Sequence, residues 1–246
     1  MISGVIFDMG GTILDYGGAG GWRRAWKSAC DSVCEAIASL GVRVDPADLC
    51  TTMLRVEERL WSGALRGKGA PTIEQELRET FEALGLPDDP AIVAVASEAY
   101  GRGLQRTCEV YPDSASTLAE LRASGAKLGL ISNTVVPGRV HVEDLERFGL
   151  LKYLDDVVFS SDAGVWKPDP AIFRLSLSRL GLEPSECVFV GDRMIDDVWG
   201  AQRAGLRGIL KYRDIPDQDY SEGHRRGIVP WATIRALSEL PALLAS

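Results

Sequence analysis

The chain has 246 residues, of which 46% are hydrophobic and 25% charged, and its formal net charge is -8. That length can bury a full core and hold one large domain or two modest ones, and the composition excludes disordered and fibrous classes. The acidic balance argues against a nucleic-acid or anionic-membrane partner, which needs a net basic face, yet leaves an anionic small molecule open.

Residues 3–8 form an apolar, β-branched run that reads as a buried strand. It begins almost at Met1, so no signal peptide is expected, and it ends at Asp8, followed by Met9-Gly10-Gly11-Thr12. The run Tyr16-Gly17-Gly18-Ala19-Gly20-Gly21 comes next. It has neither the spacing of a dinucleotide loop nor the following Gly-Lys-Ser/Thr of a P-loop, and reads as a hinge. Helical patterns then occupy 22–40, 47–65, 72–84 and 90–104 with no strand signal among them, up to a second junction at Glu109-Val110-Tyr111-Pro112.

Beyond that junction Lys127–Ser132, 156–160, Cys187–Gly191 and Arg207–Lys211 read as buried strands, with helices such as 140–148 and Pro170–Leu180 between them. Asp169-Pro170 is a helix start, and Gly149, Gly181 and Gly205 stand where helices should stop. Strands alternating with helices predict an α/β fold, an open parallel sheet wound on both faces, with its active site beyond the carboxyl ends of the strands. The helical stretch reads as an insertion. The expected division is an α/β core at 1–15 and 109–246 and a helical domain at 16–108.

The five cysteines (Cys30, Cys34, Cys50, Cys108, Cys187) form no CxxC pair, and His141 and His224 are too few and too remote to complete a zinc set. Buried packing in a reduced cytosol fits them best, and no apolar stretch reaches membrane-spanning length. A cytoplasmic protein is therefore expected.

Four short motifs stand at strand ends. Asp8-x-Gly10-Gly11-Thr12 offers one carboxylate at a tight turn. Leu130-Ile131-Ser132-Asn133 brings a hydroxyl and backbone N–H groups that can hold a phosphoryl oxygen, although Ser-Asn is also a plain turn signal. Gly164-Val165-Trp166-Lys167-Pro168-Asp169-Pro170 holds a lysine rigidly at a helix entrance. Gly191-Asp192-Arg193-Met194-Ile195-Asp196-Asp197 gathers three carboxylates whose mutual repulsion calls for a cation, and hard oxygen ligands suit Mg²⁺. One of Asp196 and Asp197 could instead cap a helix.

Together these motifs resemble the haloacid dehalogenase (HAD) superfamily, in the branch with a helical cap inserted after the first motif. The likeness runs from Phe7 to Val198-x-Gly200-Ala201-x-x-Ala204-Gly205. The family's first motif is usually DxDGT, and here the second aspartate is Gly10. The resemblance implies a Rossmann-like core, with Asp8 as the nucleophile that forms an aspartyl-phosphate. It implies Mg²⁺ held by Asp8, the main-chain carbonyl of Gly10 and Asp192, with Asp197 acting through water or as an anchor and Asp196 as the other candidate. Ser132 and Lys167 would hold the phosphoryl group, helped by the Asn133 backbone.

The aspartate missing at Gly10 normally protonates the leaving oxygen and then activates water, a role worth about 10²–10⁴ in rate. The expected activity is therefore a slow Mg²⁺-dependent phosphatase acting on small phosphorylated metabolites, with Asp15 and Tyr16 nearby in sequence as unplaced acids. Three alternatives stay open. A 2-haloacid dehalogenase would generally carry Tyr at the Gly10 position and lack the aspartate matched by Asp192. A phosphonoacetaldehyde hydrolase would need a cap lysine, for which Lys27 and Lys68 are candidates. The third is a silent homologue that binds a ligand or partner. In the cap, Trp22, Trp26 and Trp61 could line a pocket or pack as core, and Arg23 and Arg24 could meet a substrate anion or water. Sequence leaves the substrate and the oligomeric state unread.

Overall fold

The computed structural model describes residues 2–18, 21–213 and 218–245. In chain order its elements are β1 (Gly4–Phe7), β2 (Leu14–Tyr16), α1 (Gly21–Ser39), α2 (Pro46–Ala64), α3 (Ile73–Leu84), α4 (Pro90–Gln105), β3 (Cys108–Val110), α5 (Ser114–Ala123), β4 (Lys127–Ser132) and α6 (Gly138–Arg147). They continue with β5 (Asp156–Phe159), α7 (Ser160–Ala163), α8 (Pro170–Leu180), β6 (Cys187–Gly191), a π-helical turn (Met194–Trp199), α9 (Gly200–Arg203), β7 (Arg207–Lys211), α10 (Gln218–Arg225), β8 (Ala232–Ile234) and α11 (Leu240–Ala245). Two compact units result. One comprises Met1–Asp15, Val110–Asn133 and Leu145–Ser246, the other Tyr16–Glu109 and Thr134–Asp144.

The first unit is built on a six-stranded parallel sheet in the order β5-β4-β1-β6-β7-β8. β1 is central because its four residues are apolar or glycine and buried on both faces, as parallel strands between helices must be. Gly4 pairs with Lys127 on one side and Cys187 on the other, so the carboxyl ends of β1, β4 and β6 lie side by side. The chain builds outward from β1 through β4 to β5, then crosses back to β6, β7 and β8. That reversal creates the crevice in which such sheets place their sites. Beneath it, Ile6, Ile131, Val158, Phe173, Leu177 and Phe189 form a buried core, with Phe173 and Phe189 edge to face at 5.0 Å. Each such side chain contributes roughly 1.5–3 kcal/mol on burial.

The second unit is helical. Asp45 caps α2, accepting from the N–H groups of Ala47 and Asp48, and Asp89 caps α4, accepting from that of Ala91; both precede a proline at the first turn. Thr72 caps α3 through the N–H of Gln75. α1 and α4 approach so closely that a β-carbon on Gly103 would stand 2.4 Å from the Ala29 α-carbon, which admits only glycine there. Among the described residues, no helix is long and apolar enough to cross a membrane.

Two features of this unit depart from ordinary helix packing. Cys30 of α1 and Cys50 of α2 form a disulfide across a Cα separation of 5.9 Å, which corrects the expectation that all five cysteines are reduced. Neighbouring helices bring together two residues whose linear spacing carries no signal. The interior also holds polar groups from three helices: Glu57 (α2), Glu76 (α3) and Tyr100 (α4) are buried, and the Glu76 carboxylate and Tyr100 hydroxyl have no hydrogen-bond partner. Burial pushes the Glu57 carboxyl up to about 7, and pushes Glu76 well above the carboxylate range, with the Glu57 charge adding to it.

Two outcomes follow for stability. Closing the loop between Cys30 and Cys50 is worth about 3 kcal/mol, so Cys50→Ser lowers the unfolding free energy measured in urea by that amount, and excess dithiothreitol brings wild type down to the variant. Glu57 is neutral in the fold up to about pH 7 but ionises near 4.5 in the unfolded chain, so stability declines as pH rises through that window. Thermal melting from pH 4 to 8 records a decline that Glu57→Gln flattens.

Candidate active site

Asp8 follows directly on β1, and its N–H donates to the Val190 carbonyl at 2.8 Å, so the strand pairing carries it to the end of β6. The chain then turns sharply, with the N–H groups of Ile13 and Leu14 both donating to the Met9 carbonyl at 2.9 Å. Gly11 holds a φ of +87°, and a β-carbon there would fall 2.3 Å from Asp192 Oδ2. The second glycine of the motif is therefore demanded by conformation and by space. Thr12 donates its hydroxyl to Asp8 Oδ2 at 3.1 Å, a contact the sequence reading did not assign.

Lys167 is 1% exposed and lies at the centre of the site. Its ammonium donates to Asp8 Oδ1 at 2.7 Å, to Asp197 Oδ1 at 2.7 Å and to the Ile131 carbonyl at 3.1 Å. Burial alone would push this lysine towards neutrality. The Asp197 and Asp8 carboxylates override burial and hold it above the ordinary lysine range. The lysine backbone is fixed as well: Lys167 N–H donates to Asn133 Oδ1 at 2.8 Å, and Asn133 Nδ2 returns a bond to the Lys167 carbonyl at 3.0 Å. The Asn133 side chain thus ties the end of β4 to the lysine loop. Ser132, 4% exposed, ends β4 beside Asn133.

The fourth motif supplies two of its three carboxylates. Asp8, Asp192 and Asp197 are all buried, and their oxygens come within 4.8 Å of one another. Asp196 stands outside this group and is half-buried. Asp197 is committed on both oxygens, Oδ1 to Lys167 and Oδ2 to the Arg193 N–H at 2.9 Å, which makes it an anchor. Burial raises its carboxyl well above the usual range, against the Lys167 charge. Burial and the facing Asp8 charge raise Asp192 to about 6, opposed by Arg193 and Arg213. Arg213 Nη1 pairs with Asp192 Oδ2 at 3.0 Å. Three hard carboxylates gathered in one crevice fit a small divalent ion such as Mg²⁺. Asp192 keeps one oxygen that no described hydrogen bond reaches, and Asp8, whose oxygens meet Lys167 and the Thr12 hydroxyl, completes the group, with Gly10 two residues along the chain.

The other candidates are elsewhere or engaged. In the helical unit, the Tyr16 hydroxyl donates to Asp144 Oδ2 at 3.0 Å and contacts His141 Nδ1 at 2.8 Å, while His141 Nε2 contacts Thr134 Oγ1 at 2.7 Å. Tyr16 has one proton and gives it to Asp144, so His141 Nδ1 must be the donor to Tyr16 and Nε2 must accept from Thr134. Burial keeps His141 neutral, down to about 3, and burial with nearby Cys108 and Asp144 raises Tyr16 above its usual range. This phenol is a structural tie. Lys27 is exposed and paired with Asp31 at 2.7 Å. Lys68 is exposed at the lip of a cavity of about 350 Å³ that Arg59, Arg66 and Gln75 also line. Neither lysine has the desolvated setting that imine chemistry requires. Trp22 is 44% exposed, with its ring 6.4 Å from that of Trp61, while Arg24 contacts the Gly17 carbonyl and faces Glu109.

Removing the shared cation would leave two buried carboxylates uncompensated. Lys167→Met is expected to cost about 3–5 kcal/mol, measured by urea unfolding, and adding Asp197→Asn to that variant recovers part of the loss.

The fold has close counterparts among solved structures. A 2-haloacid dehalogenase from Pseudomonas syringae pv. Tomato DC3000 superposes with a TM-score of 0.68 at 27% identity, over 100% of this chain and 99% of that one. Among sequences, a glyceraldehyde 3-phosphate phosphatase of Methanopyrus kandleri is 38% identical over 54% of this chain, an alignment that spans 58% of the relative's own length. The enzyme of the same name from Methanocaldococcus jannaschii is 28% identical over 98% of this chain and 96% of its own. The sequence model of the haloacid dehalogenase-like hydrolase family matches residues 2–205. A match of that extent, on this fold, makes the chain a member of the haloacid dehalogenase-like hydrolase family.

Proposed function

We propose that this hydrolase is a Mg²⁺-dependent phosphatase for small phosphorylated metabolites, working through an aspartyl-phosphate on Asp8. The observation that carries the reading is the buried centre itself: Lys167 bridges Asp8 and Asp197, and Asp192 stands beside them. A dehalogenase attacks carbon without a metal, and in the family it lacks the aspartate matched by Asp192. The phosphatases at 28–38% identity point the same way for substrate class.

In this reading Asp8, the Gly10 carbonyl and Asp192 would hold the ion, with Asp197 anchoring the arrangement. When bound, such an ion neutralises charge on the phosphoryl group and orients it. Lys167 aims Asp8 through its first oxygen, and Thr12 fixes the second. An Asp8 oxygen attacks phosphorus, the ester P–O bond breaks, and the leaving oxygen takes a proton from water because Gly10 has no side chain to give one. Water then cleaves the aspartyl-phosphate and restores Asp8. Ser132 supplies a hydroxyl at the end of β4 for a phosphoryl oxygen, with Asn133 beside it. Residues 16–108 form the cap that selects the substrate.

A phosphate-release panel with Mg²⁺, run on wild type and Gly10→Asp side by side, tests this reading. EDTA abolishes turnover, and Gly10→Asp raises it towards the roughly 10²–10⁴ that a positioned acid–base group supplies. Turnover in a folded Gly10→Asp variant that is unchanged or lower removes the missing-acid explanation. The Pseudomonas syringae likeness sustains one second reading, for which halide release from a 2-haloacid that persists in EDTA is the decisive sign. Absent turnover with retained Mg²⁺ binding would assign the chain a binding role instead.

A further inference from the structure

We propose that Arg213, supported by Lys211, is a positioning residue that holds Asp192 and the Gly10–Gly11 turn in the arrangement that binds the divalent ion, an inference that rests on the metal-dependent reading above. Both cations come from one place, the carboxyl end of β7, where Lys211 is the last strand residue. Arg213 Nη1 takes Asp192 Oδ2 at 3.0 Å, whereas no described hydrogen bond reaches Asp192 Oδ1. A monodentate ligand to Mg²⁺ needs one oxygen. The guanidinium therefore holds the carboxylate by Oδ2 and would leave Oδ1 for the ion. It acts as a holder of the ligand and does not compete for it.

The turn is held by the same pair. A β-carbon on Gly11 would meet Asp192 Oδ2 at 2.3 Å and Arg213 Nη1 at 2.7 Å, so this ion pair packs directly against the backbone of the nucleophile turn. Lys211 is 3% exposed, and its ammonium donates to the Gly11 carbonyl at 3.0 Å. The same ammonium stands 3.4 Å from the centre of the Tyr111 ring, a cation–π contact. Burying a lysine to hold a main-chain carbonyl is costly, and here it immobilises the residue that follows the expected carbonyl ligand Gly10. Groups that orient metal ligands in this way typically govern affinity by about 10- to 100-fold.

The test is Mg²⁺ binding to the full-length protein without substrate, followed by titration calorimetry on wild type, Arg213→Gln, Arg213→Lys, Lys211→Met and Asp192→Asn. Circular dichroism and thermal melting establish that each variant is folded. Arg213→Gln weakens Mg²⁺ by about 10- to 100-fold, Arg213→Lys by less, and Lys211→Met by several-fold. Phosphatase turnover by Arg213→Gln then recovers at high Mg²⁺, a shift in half-saturation that a general loss of packing would not give. Should Arg213→Gln fail to fold, Arg213→Lys decides: a several-fold loss supports the proposal and wild-type affinity overturns it. Unchanged affinity in folded Arg213→Gln overturns it too, and tighter binding would show that Arg213 competes with the ion. If wild type and Asp192→Asn both fail to bind Mg²⁺, the metal-dependent reading falls and takes this inference with it. If wild type binds and Asp192→Asn does not, only the behaviour of the Arg213 and Lys211 variants bears on the inference.

Discussion

One ammonium group shared by two buried carboxylates organises the centre of this protein. Lys167 reaches Asp8 and Asp197 at equal distance, and each would be an unfavourable charge in that environment without it. The consequences run outward. The lysine must be rigid, so Asn133 grips its backbone from both sides. Asp197 must face inward, so a π-helical turn follows β6 and the Arg193 N–H meets its second oxygen. Asp8 must sit between neighbours, so β1 takes the middle of the sheet.

Legibility in the sequence followed the strength of the local signal. β4, β6 and β7 were readable to the residue because buried parallel strands are continuous apolar runs bounded by polar ones. The helical unit was readable from its helical spacing, while the Asp45-Pro46 and Asp89-Pro90 starts emerged only with the structure. The three-residue strands β2, β3 and β8 were not, since segments so short take their conformation from the partner strand. Asp8, Lys167 and Asp192 stood out in motifs. Sequence could not choose between Asp196 and Asp197, because which of two adjacent carboxylates turns inward depends on the helical phase after β6. Arg213 and Lys211 gave no signal at all. A cation just past a strand is ordinary, and only the fold shows that these two meet the Gly11 carbonyl and Asp192.

The helical unit follows different rules. The disulfide between α1 and α2 restrains its unfolded state, while Glu57, Glu76 and Tyr100 occupy volume that apolar groups would fill more favourably. Tyr16, His141, Asp144 and Thr134 form a hydrogen-bonded polar chain in the same unit, with a proton order fixed by which groups can donate. This second polar set is joined by hydrogen bonds from end to end, whereas the Glu76 carboxylate and the Tyr100 hydroxyl of the first make none. A satisfied network specifies a unique arrangement, whereas an unsatisfied one leaves the packing sensitive to protonation.

The central place of β1 also bears on how the chain reaches this structure. Its apolar residues emerge from the ribosome before either partner, since its pairing begins at Lys127 on one side and at Cys187 on the other. During that interval the strand is a sticky segment with both edges open, the kind of surface on which nascent chains associate wrongly. The intervening helices can form from local contacts meanwhile, and β4 shields only one flank. The segments that carry Asp8, Lys167 and Asp192 therefore come together late, in a step with high contact order and a correspondingly slow rate.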